Sequence, residues 1–196
     1  MNFKTKKLYL LMLILGTTVL TVDAQIKYLI DNTNSSLIVE GTSSVHDWEM
    51  KVNDLKSNVV LQFNENKLAA IENATFTCRA EKVLSGNSIM NSKTHKALKA
   101  EKYPEITFNL KSVSGLKVNG HSIAGQATGV LKVAGIAQNV KINFSGKINP
   151  GHLFSISGSV PLKMSDYKID PPTAMLGALK TGDEVKINFK FLYKNL

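Results

Sequence analysis

Apolar and polar side chains alternate with a period of two along most of this chain, the mark of strands that bury one face. Leu37 and Val39 alternate with Ser36, Ile38 and Glu40; Trp48, Met50 and Val52 with Glu49 and Lys51. Val59, Leu61 and Phe63 follow, then Ala74, Phe76, Cys78 and Ala80 opposite Thr75, Thr77 and Arg79. Further runs place Ile106, Phe108 and Leu110 on one face, then Gly129, Leu131 and Val133, and then Val140, Ile142 and Phe144. The last two carry Phe154, Ile156, Gly158, Val160 and Leu162, and Val185, Ile187, Phe189, Phe191 and Tyr193. Turn residues separate the runs, among them Asn119-Gly120, the pair that a tight hairpin favours, and Asn149-Pro150-Gly151. Short strands with regular turns predict an all-β domain. Neither a linker nor an internal repeat divides them, so one domain is expected.

Residues 90–110 break this rhythm. Met90, Thr94, Ala97 and Leu98 recur at helical spacing, with Lys93, Lys96, Lys99 and Lys102 mainly on the other side. Pro104 keeps Tyr103 out of the α region and is expected to end the helix before the strand that starts at Glu105. A thin apolar stripe leading into a half-buried strand predicts a cap across the end of a sheet. The TAMLGAL run around Met175, after Pro171-Pro172, reads as a second short helix or lid.

Periodicity leaves barrel and sandwich open. Ala74, Ala80, Gly129 and Gly158 fall in the inward phase, where small residues either leave room for a ligand or mark bends in a filled core.

The first 24 residues read differently. Lys4, Lys6 and Lys7 precede an apolar run from Leu8 to Leu20, and Val22-Asp23-Ala24 offers a cleavage site. This is the layout of a signal peptide, so residues 1–24 are expected to be removed and 25–196 exported, with the periplasm as destination. The chain carries a formal charge of +9, which suits anionic surfaces such as a membrane. Nucleic acid is not an expected partner: Arg79 is the only arginine and the lysines are scattered. Cys78 stands alone, so no intrachain disulfide forms, and its phase predicts a buried thiol.

Candidate chemistry is sparse. His46 and Asp47 lie near Ser43 and Ser44, but neighbours on a strand face opposite ways and no nucleophile motif accompanies them. His46, His95, His121 and His152 are isolated, so no metal site is expected, and no glycine pattern fits a nucleotide cofactor. His95, amid lysines, reads as a solvated side chain.

The segments KALKAEKYPEITF (96–108), GVLKVAGIAQNVKI (129–142) and LKMSDYKIDPPTAMLGALKTGDEVKINF (162–189) carry a resemblance. In this order they are similar to the YceI-like family, bacterial lipocalin-like proteins that bind polyisoprenoid or related long-chain lipids. The similarity runs from about Ile26 to the C-terminus. It implies an eight-stranded antiparallel barrel with an apolar interior, one or two short helices over an open end, and no catalysis. Inside such a barrel the inward side chains would converge on a ligand: Trp48, Met50, Phe63, Phe76, Ile106, Phe108, Leu131, Ile142, Phe144, Ile156, Leu162 and Phe189, with Met90, Leu98, Met164 and Met175 at the covered end. The expected partner is a long apolar lipid, of polyisoprenoid, quinone or acyl type, with transient contact to an anionic membrane surface. No cofactor is implied. The oligomeric state is left open, and a dimer is compatible with it. Two other classes fit the residues: an envelope enzyme or accessory using His46, Asp166 or Tyr167, and a packed β-sandwich for adhesion or scaffolding.

Overall fold

The computed structural model describes residues 24–65, 67–149, 153–174 and 178–195. Its strands, in chain order, are β1 (Ala24–Ile30), β2 (Ser36–Ser43), β3 (Trp48–Val52), β4 (Lys56–Asn64), β5 (Lys67–Arg79) and β6 (Val83–Leu84). Helix α1 (Ser88–Ala97) follows, then β7 (Glu105–Asn119), β8 (Ser122–Val133), β9 (Ile136–Asn149), β10 (Leu153–Lys163), β11 (Thr173–Ala174) and β12 (Leu179–Asn195).

Three pairs of these strands, β1 with β2, β3 with β4, and β5 with β6, are halves of single staves broken part-way up the wall. With β7, β8, β9, β10 and β12 they make eight antiparallel staves in an up-and-down order. The sheet closes because β12 pairs with β10 on one side, and on the other with β2 (Ile187↔Val39) and β1 (Ile30↔Tyr193). The architecture is therefore the expected closed barrel and not a sandwich.

The breaks are built by side chains. Asp31 accepts from Thr33 N and Asn34 Nδ2. Lys194 Nζ, 2.7 Å away, and the Asn34 amide together hold the Asp31 carboxyl down to about 2. Asn32 joins the first two breaks, donating to Leu55 O at 2.8 Å and accepting from Leu55 N at 2.9 Å.

The two ends differ. At the end where β1 begins and β12 finishes, Tyr28, Val59, Leu61, Leu68, Ile123, Phe144, Phe154 and Tyr193 form a buried plug. Phe154 stands in it between Tyr28 (ring centroids 6.0 Å) and Tyr193 (5.6 Å). At the other end lie the β2–β3 loop, α1, the Ala134–Gly135 turn and the segment after β10. Asn87 caps α1 by accepting from Ile89 N and Met90 N. The helix stops at Ala97, well before Pro104, because Lys99 takes a left-handed conformation (φ 52°). Thr94 Oγ1 donates to Met50 Sδ at 3.3 Å and fastens the helix to the wall. His95 is not a solvated residue: it is half-buried, with Nε2 3.1 Å from Val83 O.

Of the TAMLGAL run, the part expected as a second helix or lid lies largely outside the described residues. Thr173 and Ala174 form β11 against Lys180 and Leu179, and Met175 lies outside the described residues. Among the described residues a 3-10 turn, Met164–Tyr167, lies on that side. Two joints of the barrel are short. β5 pairs with β7 only from Thr75↔Asn109 to Arg79↔Glu105, near the capped end. β9 pairs with β10 only from Leu153↔Asn149 to Gly158↔Phe144, near the plug. Beyond that point a side chain bridges the two strands' neighbourhoods, with Gln138 Nε2 donating to Asp166 O at 2.8 Å.

Candidate ligand cavity

Between plug and cap the barrel encloses a cavity of about 660 Å³. That is within the range of pockets that hold small ligands. Trp48, Met50, Phe76, Met90, Leu98, Ile106, Phe108, Leu131, Ile142, Phe144, Ile156, Leu162, Met164 and Phe189 all lie on its wall. Phe63 does not: it packs on the plug, where β4 carries irregular pairing to β5 between Val60 and Leu61 and again between Gln62 and Phe63. Met175 cannot be placed, lying outside the described residues. The wall also includes Leu37, Val39 and Phe191, which share the strand period, and Tyr167 and Ile169, which do not. The last two follow the end of β10, where no repeat marks them.

The inward glycines serve the aromatic rings. A Cβ on Gly158 would come within 2.7 Å of the Phe189 ring, its partner across the β10–β12 ladder. One on Gly129 would overlap the Phe108 ring. The small residues thus let rings lie flat against the wall, and the cavity remains in front of them.

The wall's buried polar groups are few. Ser57 Oγ donates to Thr75 O at 2.6 Å and lies 2.8 Å from the Tyr193 hydroxyl, forming one satisfied polar spot at the floor. Cys78 is buried, and desolvation, aided by Asp54, pushes its thiol up to about 12. It is therefore a neutral wall residue at physiological pH. Burial likewise raises Tyr193 and Tyr167 to about 12. All three groups are neutral in both folded and unfolded chains at neutral pH. Above pH 9 to 10 the unfolded chain ionises first, so stability is expected to fall as pH rises through 9–12. Denaturant melts across that interval check this, and Cys78→Ala should remove the earliest part of the decline.

The Tyr167 hydroxyl is buried and, among the described residues, has no hydrogen-bond partner. An orphaned buried hydroxyl costs about 1–3 kcal/mol. Tyr167→Phe is therefore expected to raise stability by roughly 1 kcal/mol in denaturant melts; a loss of stability would show that the hydroxyl is satisfied.

The rim combines exposed apolar and cationic side chains. Val45 and Ile89 are exposed there, beside His46, Lys93, Lys163 and Lys180. Ser43 is not set up as a nucleophile: its Oγ donates to the His46 main-chain O at 2.7 Å and accepts from Val45 N and His46 N, which builds the loop. The His46 ring turns to Asp47 O through Nδ1 at 2.7 Å.

Comparison with known proteins agrees with this geometry. Among solved structures, a polyisoprenoid-binding domain from Saccharophagus degradans, implicated in plant cell wall breakdown, superposes with a TM-score of 0.68 at 15% identity, covering 87% of this chain and 99% of that one. BcnA of Burkholderia cenocepacia gives 0.65 at 20% identity over 83% and 98%. The Campylobacter jejuni YCEI protein gives 0.57 at 20% identity over 75% and 84%. No curated protein matches the chain significantly in sequence. The family model for the YceI-like domain matches residues 28–192, and the chain belongs to that family.

Proposed function

We propose that this protein is an exported carrier or sequestering protein that holds one long apolar lipid in its barrel without transforming it. The observation that carries the reading is the apolar cavity of about 660 Å³, plugged at one end and covered by α1 at the other. A cavity of this size lies within the range that buries most of a ligand of tens of heavy atoms. Each buried methylene contributes about 0.8 kcal/mol, so a chain binds with little help from hydrogen bonds. Such binding discriminates weakly, which keeps prenyl, isoprenoid-quinone and fatty-acyl chains all within the ligand class. The Saccharophagus domain of the same fold is described as polyisoprenoid-binding, which favours the prenyl group. The absence of a set-up nucleophile at Ser43 and the satisfied Ser57–Tyr193 pair favour carriage over catalysis.

Export to the periplasm rests on the basic, apolar and cleavable pattern of residues 1–24. The test is lipid mass spectrometry on protein purified from its own envelope fraction under gentle conditions. One apolar chain per protein is the expected result. Protein free of lipid, and unable to bind a prenyl alcohol added back, would overturn the proposal.

A further inference from the structure

The barrel wall is not bonded along its whole height. β9 and β10 part at the Gly158↔Phe144 rung, while each goes on pairing with its other neighbour. β10 follows β12 as far as Lys163↔Glu184, and β9 follows β8 to Val133↔Ile136. From that rung to the capped end the two strands face each other with no ladder between them. Pro161 stands on this stretch, and a proline, lacking an N–H, suits a strand edge that makes no ladder bond. Among the described residues one hydrogen bond spans the gap, from Gln138 Nε2 to Asp166 O at 2.8 Å.

A single layer of side chains closes the gap. Val140, Val160, Leu162 and Tyr167 border the cavity on one side and a groove of the protein surface on the other. Three of the four are apolar. The fourth destabilises the closed seam, because the Tyr167 hydroxyl is buried and, among the described residues, has no partner. Parting the strands lets water reach that hydroxyl, so only the closed state carries the penalty of the orphan. The capped end is held differently, by bonds between separate segments. Lys93 Nζ donates to Thr173 O at 2.7 Å and Thr94 Oγ1 to Met50 Sδ at 3.3 Å. Ser44 N donates to Lys180 O at 2.9 Å, and Lys180 N returns to Ser44 Oγ at 3.1 Å. Loosening the cap breaks several of these; parting β9 from β10 breaks one.

Resting on the lipid-binding reading above, we propose that the capped half of the β9–β10 seam is a side gate, through which the chain enters and leaves the barrel broadside instead of end-first past the cap. A flexible chain laid in along its length need not be threaded through a narrow mouth. The filled and the empty barrel are both closed, so the gate governs the rates of exchange and not the affinity.

Trp48, the only tryptophan, lies on the cavity wall, so its emission reports occupancy without a label. Delipidated full-length protein would be mixed with geranylgeraniol by stopped flow, and uptake and release read separately. In one variant, Asn139→Cys with Lys163→Cys, two exposed residues of the groove are joined across the seam by a bismaleimide with a reducible link. In the other, Lys93→Cys with Thr173→Cys, the same linker ties α1 to β11. The native thiol, Cys78, is buried. The seam staple is expected to slow uptake and release alike, by roughly tenfold or more, with Kd unchanged and both rates restored on reduction. The cap staple should leave both rates as they are. Tyr167→Phe, which removes the orphan and favours the closed seam, should slow both rates about fivefold at unchanged Kd.

Rates that the seam staple leaves unchanged, a Kd that it shifts, or a cap staple that slows exchange as much, overturns the side gate and leaves the lipid reading intact. Weaker binding by Tyr167→Phe at unchanged rates makes the hydroxyl a ligand contact and overturns its part in the seam. Failure of the native protein to bind the alcohol removes both readings.

Discussion

Lengthening a prenyl alcohol is expected to tighten its binding about tenfold per isoprene unit until the chain fills the cavity, and to add little beyond that. The slope follows from about 0.3 kcal/mol for each heavy atom of a drug-sized ligand, or ~1.5 kcal/mol for five carbons. The plateau follows from the plug. Tyr28, Phe154 and Tyr193 close the barrel below the cavity, so a longer chain must double back or stay outside. Trp48 emission across a series of prenyl alcohols measures both features. Affinity that keeps climbing to eight units would mean that the plug is not the floor.

Phe154→Ala is expected to change both stability and this plateau. The ring is fully buried in the plug and also borders the cavity. Removing a buried phenylalanine costs about 3–5 kcal/mol. In a domain of this size that lowers Tm by about 10 °C. The space it leaves is continuous with the cavity, so the variant, once folded, should accept a longer chain before affinity levels off. Phe63→Ala serves as the contrast. Its half-buried ring sits on the plug without reaching the cavity, so stability should fall by less and the plateau should not move.

The parts of this structure legible in the sequence are those where one strand keeps one face inward. The alternation through Ile106, Phe108, Leu131, Ile142 and Phe144 assigned these residues to the wall because pleating leaves no other choice. Closure of the sheet was not readable from that period, since sandwich strands alternate in the same way; the resemblance supplied the barrel. The first strand went unnoticed because Ala24–Ile30 has no turn signal before it and follows directly on the leader pattern. Tyr167 and Ile169 were missed as wall residues for a related reason. They follow β10 in a 3-10 turn and a loop, and loops carry no repeat. The helix boundary erred toward Pro104 because a left-handed Lys99 cannot be foreseen from residue type. Phe63 kept its phase but lost its place, since position along the stave decides whether an inward ring meets ligand or plug.

The two short joints have a mechanical outcome. β7, β8 and β9 are bonded to one another along most of their lengths, yet this panel is held to the rest of the barrel by a half-length ladder on each side. The halves lie at opposite ends, one near the cap at β5–β7 and the other near the plug at β9–β10. A panel fastened at two diagonal corners can tilt about the line between them without breaking a ladder bond. A tilt of that kind would alter the girth around Phe108, Leu131 and Ile142, so the chain proposed for this cavity would meet a wall whose width is set by the joints and not by the side chains alone.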